Sequence, residues 1–595
     1  MSKAHAGELG DLPEWDLGAL YAGIDDPQFV ADFSEVERAA KEFAATWQGR
    51  LASVDGAAFG VAIRAYEAIE ETLGRILSFA SLVYVTNMDD AGLAQFQADA
   101  QARASEIGSV LVFFTLEINR IEDARIAVLL EHPEVSRYRP WVEDLRVYRP
   151  HQLSDEMEKF LVEKSVTGRA AWSRLFDETL AGLRFMVRGQ ELTEEETLHL
   201  LSEPDAALRA DAAIALSEVF KRNIKLFALI TNTLAKDKDI EDRWRHYTDP
   251  ASSRHLSNQV EPEVVAALVS AVREAYPQLS HRYYALKAKW MGKEKLAFWD
   301  RNAPLPDQGD RHIGWEEARA TVLSAYADFA PEMAEIGQRF FDRRWIHAPT
   351  VAGKISGAFS HPTVPSAHPF VLMNYQGKLR DVMTLAHELG HGVHQVLAAG
   401  QGALLADTPL TVAETASVFG EMLTFQSLLK TAKTPAEHHG MLASKVEDML
   451  NTVVRQIAFY EFERRVHDAR KQGELTPEQL GEIWLGVQRE SLGPSIDLSA
   501  GYENYWCYIP HFIHSPFYVY AYAFGDCLVN SLFAVYANAA AGFQEKYFTM
   551  LRAGGAKRHQ ELLAPFGLDA SDPAFWRGGL SMISGFIDEL EAGPN

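Results

Sequence analysis

Helical periodicity runs through most of this 595-residue sequence and constrains its fold more than any other feature. In the stretch 208–234, Leu208, Ala212, Leu216 and Val219 recur near one stripe, while arginine and aspartate occupy other positions. Apolar residues spaced three and four apart form one face of an α-helix. Similar patterns cover residues 60–87, 93–121, 264–289, 315–343, 437–470 and 477–490. We therefore predict a mainly α fold.

Strand signals are few, and the clearest one lies late in the chain. Residues 369–375 form a short apolar run of β-type composition. A segment rich in Gly, Ser and Pro precedes this run, and a Gln-Gly-Lys turn follows it. Both flanks are typical of strand boundaries. Residues 184–188 are a second candidate strand.

The sequence contains no internal repeat, charge block or low-complexity tract that would divide it clearly. The one boundary that we predict lies near residues 189–196. By this reading, residues 1–192 form an N-terminal helical region. Residues 193–595 form a larger helical region that contains the later strand and the chemistry.

Charge and cysteine content exclude several classes of protein. The 57 Lys and Arg residues against 82 Asp and Glu residues give a net charge of −25. Binding nucleic acid without sequence preference requires a basic surface, so we expect no nucleic-acid partner. The only cysteines are Cys507 and Cys527, which form no CxxC pair. This excludes a disulfide scaffold and a cysteine-based zinc site, and it fits a reducing compartment.

The sequence predicts neither a secretory signal nor a membrane span. Its first residues contain no apolar core of the kind that a signal peptide needs. The apolar stretch 110–116 is too short to cross a bilayer, and Asn530, Ser531 and Asn538 interrupt the stretch 527–543. We therefore expect a cytoplasmic protein without a membrane partner.

The sharpest motif is the His-Glu-Leu-Gly-His segment at residues 387–391. His387 and His391 are four residues apart, so they share one helix face and can hold one Zn²⁺. Glu388 can reach a water on this metal and act as general base. With 20 histidines, a chance match occurs in roughly a few per cent of chains. The amphipathic helix and the preceding strand favour the zinc reading.

A catalytic zinc site needs a third protein ligand and an open position. Pro409 is expected to begin a second helix that continues to about Lys430, with Glu414 and Glu421 on one face. Both carboxylates lie among apolar residues, and a buried carboxylate needs a partner. We predict Glu414 as the third ligand and Glu421 as a partner of a ligand histidine. His394, farther around the first helix, is interpreted as a supporting or structural residue.

The segment 501–522 is unusually aromatic and contains two histidines. Peptide hydrolysis builds negative charge on the former carbonyl oxygen, and donors aimed at this oxygen stabilise the transition state. One histidine and one tyrosine could supply these donors. The candidates are His511 or His514, together with Tyr518, Tyr520 or Tyr522. The alternative is an aromatic core cluster with its hydroxyls satisfied at the edge.

Four segments resemble the oligoendopeptidase F group of the M3 peptidases, the family that includes thimet oligopeptidase. They are Trp-Asp-Leu-Gly-Ala-Leu-Tyr at 15–21, Gly-Lys-Ile-Ser-Gly-Ala-Phe-Ser at 353–360, the strand and HELGH helix at 369–395, and the histidine- and tyrosine-bearing element at 511–522. The resemblance spans nearly the whole chain, and its third segment is the most specific. It implies a mainly α-helical clam or bowl with a deep channel and a small β-sheet beside the HExxH helix. Such a channel would admit short peptides and exclude folded proteins.

The resemblance also implies the roles of individual residues. His387, His391 and Glu414 would bind one zinc ion per chain, and Glu388 would be the general base.

His511, with Tyr518 or Tyr522, would donate hydrogen bonds in the transition state. These three residues complete the expected catalytic set beside Glu388.

The leading hypothesis is a zinc-dependent endopeptidase that hydrolyses internal bonds of short oligopeptides. Glu388 assists the attack of a zinc-bound water, and residues 369–375 bind the substrate backbone as an added strand. One alternative is a zinc carboxypeptidase of similar helical fold. Another is a catalytically silent peptide-binding or scaffold protein.

Overall fold

The prediction of a mainly α fold is confirmed. The computed structural model describes residues 9–305, 312–499, 501–538 and 541–593, and 69% of the chain is helical. The N-terminal residues examined for a secretory signal, 1–5, lie outside the described part. Among the described helices, none combines the length and the apolar character that a membrane span requires.

The α-helices of the described residues are α1 (Pro27–Trp47), α2 (Gly56–Tyr84), α3 (Ala91–Arg120), α4 (Asp123–Leu130), α5 (Pro133–Ser136), α6 (Arg139–Arg146), α7 (Asp155–Ser165), α8 (Arg169–Gly182), α9 (Glu194–His199), α10 (Ala206–Trp244), α11 (Ser252–Ser257), α12 (Pro262–Ala275), α13 (Ser280–Trp290), α14 (Trp315–Phe329), α15 (Pro331–Asp342), α16 (Leu379–Ala398), α17 (Leu410–Ala413), α18 (Ser417–Leu429), α19 (Pro435–Thr452), α20 (Val454–Arg470), α21 (Pro477–Leu492), α22 (His511–His514), α23 (Tyr520–Ala537), α24 (Phe543–Arg552), α25 (His559–Leu563) and α26 (Pro573–Ala592).

The strands are short. They are β1 (Phe185–Val187), β2 (Gln190–Leu192), β3 (Leu296–Ala297), β4 (Ile346–His347), β5 (Phe359–His361), β6 (Phe370–Leu372) and β7 (Ile496–Asp497). The two candidate strands of the sequence correspond to β1 and β6. The others were missed because two or three residues are too few to show an alternating pattern.

The chain divides into two compact units, and each unit is assembled from three segments. The first unit comprises Met1–Arg149, Asp310–Thr431 and Val535–Gly567. The second unit comprises Pro150–Gly309, Ala432–Ala534 and Leu568–Asn595. The boundary predicted near 189–196 falls inside the second unit, between β2 and α9. A functional division into residues 1–192 and 193–595 stays a prediction.

In the first unit, α14, α15, α16 and α18 pack together and enclose an apolar core. A three-stranded sheet lies against α16, with strand order β4-β6-β5. Strand β6 pairs in parallel with β4 and antiparallel with β5. The predicted small sheet beside the HExxH helix is therefore confirmed. However, β6 is the central strand with both edges paired, so the prediction that 369–375 adds a substrate strand is wrong.

In the second unit, the long helix α10 packs against α8, α20 and a 3-10 helix at Tyr502–Tyr508. The strands β1 and β2 form an antiparallel hairpin, and β3 pairs in parallel with β7. Two helix starts here are fixed by local capping. Thr193 forms a capping box with Glu196 before α9, and Pro477 begins α21 after its cap residue Thr476.

Candidate active site

The helix that carries the HExxH motif is fixed firmly at its start and along its inner face. The Asp381 carboxylate accepts hydrogen bonds from the backbone N–H groups of Gln376 (2.8 Å) and Lys378 (3.0 Å) at the start of α16. These donors have no partner within the helix, so the side chain satisfies them. The apolar side chains of the inner face are fully buried, namely Val382, Leu385, Leu389 and Val393. The histidines are thereby held on the other face.

Gly390, inside the HExxH motif, allows α16 and α18 to approach closely. A Cβ atom at this position would lie 2.4 Å from the carbonyl oxygen of Ala416 and 2.7 Å from the Cα atom of Ser417. Both neighbours are backbone atoms, which cannot rotate away. A side chain at residue 390 would therefore push away the segment that carries Glu414.

Glu414 lies at a break between two helices. The prediction of one helix from Pro409 to about Lys430 is wrong, because α17 ends at Ala413 and α18 begins at Ser417. Thr415 contributes to this break, since its Oγ1 donates to the Val412 carbonyl oxygen at 2.6 Å. Such local side-chain bonds compete with helix continuation.

Contacts on both sides of the break fix the Glu414 carboxylate. Ser417 Oγ donates to Glu414 Oε2 at 2.6 Å. The Tyr547 hydroxyl of α24 donates to the Thr415 carbonyl oxygen at 3.0 Å. Ser417 thus holds the carboxylate itself, and Tyr547 of α24 holds the backbone next to it.

The three predicted metal ligands converge. The Nε2 atoms of His387 and His391 each lie 3.4 Å from Glu414 Oε2. One donor atom from each residue lies within 4.8 Å of the other two. Their side chains are 28%, 21% and 26% exposed, so a ligand can reach them. Two imidazoles and one carboxylate are the donor set of many catalytic zinc sites, so these residues fit the ion.

Two further side chains, Glu421 and His394, were expected to lie beside the ligand residues. Glu421 Oε2 lies 3.3 Å from His387 Nδ1, the ring nitrogen that faces away from Glu414. This is the arrangement predicted for Glu421, and it fixes the ring orientation. His394 is buried, and its Nε2 lies 3.4 Å from Thr408 Oγ1. His394 thus contacts the loop before α17 and is not part of the three-residue cluster.

Glu388 is buried beside the cluster, with 7% of its surface exposed. Burial raises the pKa of its carboxyl group, and the charges of His387 and His391 lower it. Glu414 raises it further, while a backbone hydrogen bond from Ser360 of β5 lowers it. The net effect raises the pKa of Glu388 above its usual value, which suits a group that takes and returns a proton.

The electrostatics of the cluster favour a cation. Burial lowers the pKa of His387, but a hydrogen bond with Glu421 and the charges of Glu414 and Glu388 raise it to about 9. Burial raises the pKa of Glu414, but its hydrogen bond with His391 and the charges of both histidines lower it to about 2. The carboxylates therefore create a negative field, which a divalent ion would neutralise.

A cavity of about 490 Å³ in the first unit lies beside the cluster. His391 lines one part of it, and Trp345, Val364 and Ala399 contribute apolar surface. Arg339 also lines it. The cavity is large enough for one peptide side chain next to the candidate metal centre.

His511, Tyr518 and Tyr522 belong to the second unit and lie close to one another. His511 Nε2 lies 3.3 Å from the Tyr522 hydroxyl, and the rings of Tyr518 and Tyr522 are 5.3 Å apart. Burial lowers the pKa of His511, as do the charges of Arg455 and His514. A neutral imidazole can still donate one hydrogen bond. The role of these three residues in the reaction stays a prediction.

The other two candidate donors are engaged elsewhere in the second unit. The Tyr520 ring is fully buried, and its hydroxyl contacts His255 Nδ1 at 3.1 Å and accepts from Asn258 at 2.8 Å. His514 Nε2 lies 2.7 Å from the Asp177 carboxylate. Tyr520 is therefore a core residue, as the aromatic-cluster alternative expected.

Sequence reasoning missed three residues that shape the first unit's site. Ser360 bonds to Glu388, Gly390 allows α18 to pack closely against α16, and Tyr547 bonds to the Thr415 carbonyl oxygen. Gly390 lies within the motif, and a glycine inside a helix can indicate close packing against a neighbouring helix. The other two gave no local signal, because their contacts join distant parts of the chain.

Comparison with known proteins shows the family of this chain. The sequence profile described as peptidase family M3 matches residues 199–581, more than half of the chain. The chain belongs to peptidase family M3. A second profile, described as oligopeptidase F, matches residues 117–185. The resemblance seen in the sequence is confirmed, and the protein is a peptidase.

Curated relatives and solved structures agree with the M3 assignment. The group B oligopeptidase PepB of Streptococcus agalactiae is 27% identical over 532 residues, covering 88% of each chain. The oligopeptidase PepF of Bacillus subtilis is 26% identical over 537 residues, covering 88% of this chain and 79% of its own. Among crystal structures, a Chlamydophila abortus protein matches with a TM-score of 0.86 and 22% identity, covering 98% of this chain and 100% of its own. Oligoendopeptidase F of Enterococcus faecium matches with a TM-score of 0.72 and 23% identity, covering 95% and 98%.

Proposed function

We propose that this M3 peptidase is a zinc-dependent endopeptidase that hydrolyses internal bonds of short oligopeptides. The observation that carries the proposal is the convergence of His387, His391 and Glu414 next to the buried carboxylate of Glu388. The relatives named oligopeptidase and oligoendopeptidase support the substrate class. The cytoplasmic location expected from the sequence stays a prediction.

The residues of the first unit divide the chemistry between them. His387, His391 and Glu414 would hold one zinc ion. When bound, zinc polarises the scissile carbonyl and lowers the pKa of a water. The Glu388 carboxylate takes the proton of the attacking water and delivers it to the leaving amine. Glu421 keeps the His387 ring in the tautomer that leaves Nε2 free for the metal.

Charge on the former carbonyl oxygen requires hydrogen-bond donors. We assign this role to His511, together with Tyr518 or Tyr522. The contact between His511 and the Tyr522 hydroxyl supports a concerted pair. A donor of this kind typically contributes 10²- to 10³-fold to turnover.

The central strand β6 is paired on both sides, whereas β5 is an edge strand that packs against α16 and is our candidate for contact with the substrate backbone. Ser360 in β5 directs its backbone toward α16, where it bonds to Glu388 and accepts from Gln395 Nε2 at 3.1 Å. The main chain of β5 therefore lies next to the general base, and a substrate strand would compete with Gln395 for the Ser360 carbonyl oxygen. Extended peptides bind edge strands through main-chain hydrogen bonds. The cavity beside His391 would hold a substrate side chain.

The test is cleavage of a short, internally quenched peptide blocked at both ends, with and without a zinc chelator. We expect cleavage that the chelator abolishes and added zinc restores. Glu388→Gln should retain zinc and lose roughly 10²- to 10⁴-fold in kcat. The matched control is Glu335→Gln, which removes the same charge at an exposed position of α15. This variant should cleave the peptide normally.

The outcomes separate the three hypotheses. Cleavage only of peptides with a free carboxyl terminus would establish a carboxypeptidase. Stoichiometric zinc with no turnover on a varied peptide set would indicate a binding protein. Normal activity of Glu388→Gln would refute the assignment of the general base.

A further inference from the structure

Two buried cations of the second unit, Arg209 and Lys287, are paired with carboxylates. Arg209 Nη2 lies 2.8 Å from Asp300 Oδ1, and both side chains are almost fully buried. Asp300 also pairs with Lys293. The buried Lys287 lies 2.6 Å from Glu447. Since an unpaired buried charge is costly, this pairing is the expected arrangement.

Arg301 and Arg455 depart from this rule. Both are half-buried, and neither forms an ion pair with a carboxylate of the described residues. The Nε atom of each guanidinium is buried and has no acceptor among the described groups. Their side-chain partners are tyrosine hydroxyls. Arg455 Nη2 donates to Tyr508 at 3.3 Å, and Arg301 bonds to Tyr502.

The two arginines lie around the same tyrosines. Burial raises the pKa of Tyr502, while the charges of Arg301 and Arg455 both lower it. Tyr508 bonds to Arg455 and also interacts with the charge of Arg301. The Phe459 ring lies 4.9 Å beneath the Arg455 guanidinium and fixes its plane. The result is a partly open site with two positive charges.

This site is also close to a residue of the proposed reaction. The charge of Arg455 acts on His511, the candidate donor to the oxyanion. Tyr508 precedes His511 by three residues, at the end of the 3-10 helix Tyr502–Tyr508. A peptide that contacts His511 would therefore come near Arg455.

We propose that Arg301 and Arg455, with the Tyr508 hydroxyl, bind a carboxylate group of the peptide substrate. A guanidinium presents a planar set of donors that matches two carboxylate oxygens, and a second guanidinium completes the charge balance. The carboxylate could come from the free C-terminus of a short peptide or from an acidic side chain. This inference rests on the proposed peptidase function, and it deepens that function by naming a substrate group.

The test uses matched peptides and zinc-loaded full-length protein. One pair of peptides differs only in a C-terminal carboxylate or amide. A second pair has amide ends and differs only in an internal Glu or Gln. For the wild type we expect a preference in one of the two pairs. In that pair, the KM of the carboxylate peptide should be roughly ten- to a hundredfold below the KM of its neutral partner.

Arg455→Gln should raise the KM of the carboxylate peptide relative to that of its neutral partner, so that the two values converge. Arg455→Lys keeps the charge without the planar donors and should give an intermediate preference. Arg464→Gln is the matched control, because this α20 arginine already pairs with Asp249 at 2.6 Å. It should keep the full preference. Arg301→Gln repeats the test if Arg455→Gln fails to fold, as judged by its melting temperature.

Each outcome decides the proposal. A preference in the first peptide pair assigns the site to the C-terminus, and a preference in the second assigns it to an acidic side chain. Equal KM values within both pairs for the wild type would overturn the inference while leaving the peptidase function intact. A preference that survives both arginine substitutions would also overturn it. No cleavage of any peptide by zinc-loaded wild type would instead contradict the proposed function.

Discussion

Replacing Gly390 by alanine tests whether close packing of α16 and α18 positions the third metal ligand. The new Cβ atom would lie 2.4 Å from the Ala416 carbonyl oxygen. Ordinary contacts of carbon need about 3.5 Å, so the two backbones must separate by about 1 Å. Glu414 precedes Ala416 by two residues and would move with it.

The expected effects follow from this displacement. Overpacking of this kind costs about 1–3 kcal/mol of stability. Metal–ligand distances tolerate only about 0.2 Å, so a shift of about 1 Å should break one metal contact. Loss of a contact that only supports a ligand lowers metal affinity by roughly 10- to 100-fold. We expect the zinc affinity of Gly390→Ala to fall by at least this factor.

The assay is competition for zinc against a chromophoric chelator, with unfolding by urea as the measure of stability. Gly400→Ala is the matched control, because its Cβ would meet open space at the end of the same helical segment. We expect the control to match the wild type in both measurements. If Gly390→Ala binds zinc as tightly as Gly400→Ala, close packing does not position Glu414.

Two further predictions test the supporting groups. Glu421→Gln should weaken zinc binding by roughly 10- to 100-fold with little change in fold, measured by the same competition. In the second unit, Glu463 is buried and accepts from the Phe517 N–H at 2.8 Å, and burial outweighs that bond to raise its pKa to about 8. The folded state holds the Glu463 proton more tightly than the unfolded state does. The stability that this protonated carboxyl contributes is therefore full below about pH 4.5 and is lost as the pH rises through about 8. Glu463→Gln, which keeps the acceptor, should therefore gain stability relative to wild type between pH 5 and 8, and equal pH profiles in urea unfolding would contradict this.

The sequence predicted the identity of the candidate metal ligands better than their geometry. The four-residue spacing of His387 and His391 is a local property of a helix, so it could be read directly. Glu414 was identified through its apolar surroundings, but the helix break that aims it was not expected. That break depends partly on Tyr547, which lies 132 positions after Thr415. No local pattern encodes a contact of that range.

The sheet shows the same division between local and long-range information. The composition of 369–375 predicted a strand, and β6 lies there. Its place in the sheet depends on pairing with β4 and β5, which are too short to recognise by alternation. The substrate-binding role was therefore assigned to the central strand, whose two edges are already paired. The mainly α fold, by contrast, follows from periodicity that each helix displays by itself.

The interleaving of the two units has a consequence for the order in which a newly made chain can mature. Synthesis proceeds from the N-terminus, and domains generally fold as they emerge. Here the first unit receives its last segment, Val535–Gly567, only after most of the second unit has been made. A ribosome that has passed residue 431 has already produced both histidines, Glu388 and Glu414, yet α24 and its Tyr547 brace are still missing. The candidate metal centre is therefore completed near the end of translation, and a chain truncated before α24 would contain every candidate ligand without the helix that braces the backbone next to Glu414.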